Sequence, residues 1–168
     1  MPFGTAYNFT GEPSIDGPGP TGYRLTTRSR VIGTGRDRFE SAAAAVRRWR
    51  VHYGSGFHPV DVPERVAVGA TSVWVIPFGP LRPRVACRVF AVVDEPRRSG
   101  FGHGALVGHP QSGWESYTVS IDDTDVVRLD IRVVWRPAAW WMRASGPFGR
   151  LALDLILRRN LRALDSYR

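Results

Sequence analysis

The residue pattern predicts an α+β fold: a curved antiparallel β-sheet wrapped around a long C-terminal helix, with a shorter helix after the first strand. Three observations carry this reading. Residues 65–135 keep a hydrophobic period of two through short turns, a one-sided helical period precedes them, and an almost continuously apolar helical stretch follows. At 168 residues the chain is long enough for one body with a full core. We expect an irregular N-terminal arm over 1–22 and a single α+β domain over 23–168.

The arm follows from Gly11, Pro13, Gly17, Pro18, Gly19 and Pro20, which interrupt any regular element. Phe3, Tyr7 and Phe9 are placed to pin it to the body. Residues 23–32 read as the first strand, ending at Gly33-Thr34-Gly35. That turn lacks both the dinucleotide glycine fingerprint and the Gly-Lys-Ser/Thr end of a phosphate loop. Asp37 and Glu40 have capping-box spacing, and Phe39, Ala42, Ala43, Val46, Trp49, Arg50 and Tyr53 then recur at helical intervals. Arg47, Arg48 and Arg50 suit the negative end of that helix. Gly54 and Gly56 stop it, with His52 and His58 beside the stop and no metal-ligand spacing near either.

Six strands follow, at about 65–68, 72–78, 84–94, 98–107, 114–121 and 126–135. Pro77, Gly79, Pro80 and Pro83 mark one turn, Asp94, Glu95 and Pro96 another, and Asp122, Asp123 and Thr124 a third. Short connections of this kind predict an antiparallel meander. In 126–135, Val127, Leu129, Ile131, Val133 and Trp135 form a dry face. In 84–94 either face fits the core; if Phe90 and Val92 point inward, Arg88 goes with them. After Trp140-Trp141-Met142 and a break near Gly146-Pro147, a helix runs from about Phe148 to Leu164. Residues 151–157 are apolar almost all round, which predicts burial on most sides. This order describes a helix-grip arrangement, with a cavity expected between the concave sheet and the last helix.

Composition narrows the partners. The net charge of +8 rests on arginine alone, since there is no lysine, and the arginines are spread along the chain. With the abundance of Ala, Gly, Pro and Val, this points to a GC-rich bacterial genome and argues against a nucleic-acid partner. No stretch is apolar enough to insert across a membrane, and no signal peptide is predicted. The lone Cys87 excludes an internal disulfide, fits the cytoplasm and reads as inert core.

The chemistry concentrates between Arg98 and Val119, where five glycines, two histidines and one carboxylate lie together. Alternation puts Glu115, Tyr117, Val119 and Ile121 on one face, so Glu115 points inward and needs a partner or a function. This stretch, with Cys87-Arg88-Val89 before it and Arg136-Pro137-Ala138 after it, resembles uncharacterised protein family 0548, a bacterial and plant family built on a domain of unknown function. Members typically carry a Cys-Arg-Val strand, a Gly-Phe-x-Tyr-Gly-Thr-Leu-x-Gly-His-Pro-x-x-Gly-Glu-Glu loop and a Ser-Arg-Pro segment. Trp49 and His52 are similar to the family's Arg-Trp-x-x-His element. Here His103 replaces the family's Tyr, Ala105 its Thr, Trp114 its first Glu and Trp135 its Ser. By analogy the fold is similar to the Bet v 1 and START type of lipid- and polyketide-binding domains.

The candidate site is therefore His109 and Glu115 as acid–base groups, should the protein be an enzyme, with Arg88, His103, Tyr117, Trp135 and Arg136 as ligand-binding residues. Imidazole and carboxylate move protons at neutral pH, and arginine holds an anionic oxygen. No metal is expected, because two histidines six residues apart with one carboxylate are not a diagnostic ligand set, and no cofactor is expected. The preferred reading is a binding protein for a small hydrophobic, lipid- or polyketide-like molecule. The alternatives are an acid–base enzyme of secondary metabolism (cyclisation, dehydration or hydrolysis) and a ligand-free interaction domain.

Overall fold

The period-two segments pair into one seven-stranded antiparallel sheet, seen in a computed structural model that describes residues 3–77, 80–165 and 167. Phe78, the expected end of one strand, and Gly79, in the turn after it, lie outside the described residues. The strands are β1 (Arg24–Thr34), β2 (His58–Asp61), β3 (Thr71–Val75), β4 (Arg84–Glu95), β5 (Arg98–Ala105), β6 (Gln111–Ile121) and β7 (Val126–Pro137). Their spatial order is β1-β7-β6-β5-β4-β3-β2, so the meander lies side by side and the first strand closes onto the last. The described residues also form four helices: α1 (Arg36–Val46), α2 (Arg50–Gly54), α3 (Trp140–Ala144) and α4 (Pro147–Arg162). The sheet curls around the helices, with the core between its concave face and α1, α2 and α4. Val46, Trp49, Phe101, Leu129 and Leu157 are among its fully enclosed side chains.

Several local expectations are corrected. Residues 65–68 form no strand; the Val66 N–H donates to the Arg47 carbonyl at 2.9 Å, so the segment caps the end of α1 instead of joining a ladder. The strand before β3 is β2, at the edge. The helix expected through Tyr53 breaks at Trp49, whose φ of 60° is left-handed, a conformation costly for a bulky side chain. That break turns α2 and brings His52 onto the concave face. Gly35, not Asp37, precedes α1, and no side chain caps the helix. A β-bulge between Val89 and Ala91 places Cys87 and Val89 on the concave face, Phe90 on the convex face, and Val92 again toward the core.

The last helix departs most from expectation. Pro147 opens it at the position where a missing N–H costs nothing. Leu153, Leu157 and Asn160 face the sheet, but Leu151 and Leu155 remain 57% and 43% exposed. An apolar circumference is therefore not a buried one here.

The arm crosses the convex face. The Ser14 and Ile15 carbonyls accept hydrogen bonds from Trp114 Nε1 (3.0 Å) and Ser116 Oγ (3.1 Å). Tyr7 and Phe9 stack at 4.8 Å over Gly104, where a Cβ would lie 2.7 Å from the Phe9 ring. Glycine at that position lets the arm lie flat on the sheet.

Candidate functional site

Strand register assembles a polar cluster on the concave face. In the β5–β6 pair His103 is opposite Glu115 and Phe101 is opposite Tyr117, and directly opposed residues share a face. From Gly100 on, β5 alternates Gly100, Gly102 and Gly104 on the convex side with Phe101, His103 and Ala105 on the concave side, so the bulk of that stretch points inward. After β5 the chain turns at Gly108, with φ of 98°, and His109 folds back over the concave side. α2 adds His52 and α4 adds Asn160.

These groups line one wall of a cavity of about 270 Å³ between the sheet and α4. Phe57, Trp74, Val85, Met142, Leu153 and Leu157 supply much of the apolar remainder, and Trp141 and Phe148 stand at its mouth. The polar wall is a hydrogen-bonded chain. Asn160 Nδ2 donates to Tyr117 Oη at 3.4 Å, and the Tyr117 hydroxyl donates to Glu115 Oε2 at 2.5 Å. The Ser55 hydroxyl holds Asn160 Oδ1 from behind at 2.5 Å. His103 Nε2 lies 3.6 Å from Glu115 Oε2, in ion-pair range but beyond a hydrogen bond. Among the described residues neither ring nitrogen of His103 has a hydrogen-bond partner, nor does Nδ1 of His52.

Electrostatics sets the protonation of this wall. Burial pushes the Glu115 carboxyl upward, but the nearby His103, the Tyr117 hydroxyl and His109 outweigh it and hold the group down at about 2. Glu115 is thus an anion at neutral pH. Burial also lowers His52 to about 3 and His109 to about 4, with His103 adding to the effect and Glu115 opposing it, so both rings are neutral. His109 Nδ1 accepts the Gln111 N–H at 2.9 Å, which leaves the ring proton on Nε2. Burial and the Glu115 charge push the Cys87 thiol and the Tyr117 hydroxyl well above their ordinary values, so neither ionises readily.

His103, His109, Glu115 and Tyr117 line the cavity together. Trp135 is buried just beyond them, donating to Thr26 Oγ1 at 3.2 Å and bordering a void of only about 10 Å³. Arg88 and Arg136 are elsewhere. The β4 parity that turns Cys87 and Val89 inward turns Arg88 outward, where its guanidinium lies 5.8 Å from the Tyr7 ring. Arg136 is exposed and covers Tyr23 at 4.6 Å. His52, Trp74 and Asn160 join the site without having been singled out for it in the sequence, and Cys87 also lines it. Among the described residues no group of three or more His, Cys, Asp or Glu is arranged to hold a metal. Chemically the wall offers a carboxylate acceptor beside imidazole donors and acceptors, in an apolar chamber with no arginine among the described residues of its lining.

A family model described as a domain of unknown function, DUF1990, matches residues 6–163. The chain belongs to the DUF1990 family. A UPF0548 protein of Deinococcus radiodurans is 32% identical over 169 residues, spanning 92% of this chain and 79% of that one. Among solved structures, a hypothetical protein from Helicobacter pylori superposes with a TM-score of 0.63 at 11% identity, covering 91% of this chain and 97% of that one. Ara h 8.0201 superposes with a TM-score of 0.54 at 10% identity, covering 87% and 97%. At such identities the likeness is one of fold alone: this DUF1990 chain has a helix-grip fold similar to that of Bet v 1-like proteins. No helix among the described residues is long and apolar enough to cross a membrane.

Proposed function

We propose that this protein binds a small hydrophobic molecule in the cavity between the sheet and α4, with the ligand's polar end against Glu115 and the imidazoles. The observation that carries the reading is an apolar chamber whose single polar wall has unpartnered ring nitrogens on His52 and His103. Buried polar atoms are costly when unpaired, and a cavity-facing set is satisfied by whatever fills the space. The volume is at the lower edge of small-molecule sites. A charged acceptor with no arginine in the lining favours a hydroxyl- or amine-bearing ligand over a carboxylate or phosphate. Lipid- or polyketide-like alcohols and phenols fit this chemistry. The lone, enclosed Cys87 supports a reducing compartment, the cytoplasm, as its setting.

Acid–base catalysis by His109 and Glu115 is the weaker reading. Efficient proton transfer needs groups that titrate near the working pH, and these two are held at about 4 and about 2. A native mass spectrum of freshly purified protein, compared with a denatured one, tests the proposal. A co-purifying mass lost on denaturation is expected, together with saturable binding of a hydrophobic fluorescent alcohol that Glu115→Gln weakens about tenfold. A clean mass with no saturable probe binding overturns it.

A further inference from the structure

We propose that the α3–α4 face is a docking surface for an anionic lipid bilayer, set at the mouth of the cavity. Trp140 is 79% exposed, Phe148 77% and Leu151 57%, whereas bulky apolar side chains are ordinarily covered. On α4, Phe148, Leu151 and Leu155 follow one stripe opposite the buried Leu153 and Leu157. Trp141, also exposed, shares the mouth with Phe148. From Arg136 to Leu153 the charged residues are Arg136, Arg143 and Arg150, all exposed and all positive.

This pairing of exposed aromatic and leucine side chains with arginine has the chemistry of an interfacial segment; the carboxylate between Leu151 and Leu155, Asp154, is neutralised by Arg28 and Arg158 at 2.9 and 2.8 Å. The apolar side chains enter the headgroup boundary and the arginines meet anionic lipid. A protein partner buried on this face would have to match both a flat aromatic stripe and an unbalanced positive rim, which a bilayer does without specific contacts. Since the patch surrounds the cavity mouth, docking gives a membrane-dissolved ligand a path that avoids water. That last step rests on the binding function proposed above; the docking does not.

Sedimentation with vesicles tests it, using phosphatidylcholine alone or mixed with phosphatidylglycerol. The protein is expected to sediment with the mixed vesicles and much less with the neutral ones, and to release as salt rises. The double variant Trp140→Ser/Leu151→Ser should lower vesicle affinity about tenfold or more. Neither residue lines the cavity, so its binding of the fluorescent alcohol in lipid-free buffer should match wild type, which also shows that the variant is folded. Arg143→Gln/Arg150→Gln should abolish the preference for anionic vesicles. No sedimentation of wild type overturns the proposal. So does unchanged sedimentation of Trp140→Ser/Leu151→Ser, which would assign vesicle binding to basic charge alone. A dimer that this variant dissociates, without vesicle binding by wild type, would assign the face to a second copy of the chain. Vesicle docking without alcohol binding would leave the surface standing and remove the ligand reading.

Discussion

The two faces of β6 treat their polar groups in opposite ways. On the convex face Ser112, Trp114 and Ser116 each donate to a carbonyl of the arm, those of Asn8, Ser14 and Ile15. Aromatic rings fill the space that Gly104 leaves. On the concave face Glu115 and Tyr117 satisfy each other, but the neighbouring His103 and His52 keep unpartnered nitrogens beside an apolar chamber. One face is closed by the chain's own backbone and the other is left for an occupant. A close-packed face and an open one should respond differently to the same kind of damage, and the contrast is measurable.

The largest effect belongs to the closed face. Trp114 is 3% exposed, packs 5.2 Å from Phe9 and bonds the arm. Trp114→Ala should cost about 3–5 kcal/mol in urea unfolding, as for a buried large-to-small change. Binding of the hydrophobic alcohol should survive at low temperature, because the cavity lies across the sheet. Loss of binding with stability unchanged would break the division between the faces.

Next comes acid sensitivity, which belongs to the open face. His52 and His109 are lowered from the ordinary 6.5, so below that value the unfolded chain takes up protons that the folded chain refuses. Their contribution is fully present above pH 6.5 and declines as pH falls toward about 4 and about 3. Glu115, lowered from 4.5 to about 2, adds a further loss only below pH 4.5. Each histidine should contribute a slope of up to about 1.4 kcal/mol per pH unit. Urea titrations between about pH 7 and about pH 5 should show the loss, and His52→Phe should remove about one proton's share of the slope. A flat profile would mean that both rings are charged or wet in the native protein.

A milder change separates the cavity from the fold. Ala152 lines the chamber from α4 and is partly accessible there. Ala152→Phe should fill the space and weaken alcohol binding about tenfold or more, with a change in stability of about 1 kcal/mol. Equal affinity in the variant would place the ligand outside the chamber.

What the sequence conveyed follows the strength of local constraint. Glu115 and Tyr117 were legible as inward because a period of two fixes facing once the strand is recognised. His52 was not assignable, since only a left-handed Trp49 aims it at the sheet, and nothing local announces that conformation. Asn160 was hidden among Arg158, Arg159 and Arg162, where a polar residue reads as part of the helix's solvent-facing side. Leu151 and Leu155 misled, because an apolar circumference predicts burial and this helix covers only one side. Arg88 was ambiguous for a specific reason: the bulge between Val89 and Ala91 shifts parity, so both Val89 and Val92 reach the core while the alternation predicts only one of them.

Arg88 also supplies the smallest and sharpest test. An arginine in the chamber would pair with Glu115 and invert the site's preference toward carboxylates, so its removal would cost binding heavily. On the convex face its guanidinium lies 5.8 Å from the Tyr7 ring, a half-exposed cation–π contact. Arg88→Ala should therefore lower stability by about 0.5–1 kcal/mol, loosen the arm slightly and leave alcohol affinity within about twofold of wild type. Proteolysis of the arm and probe titration read the two effects separately. A large loss of binding with the arm still protected would return Arg88 to the site and require the β4 register to be redrawn.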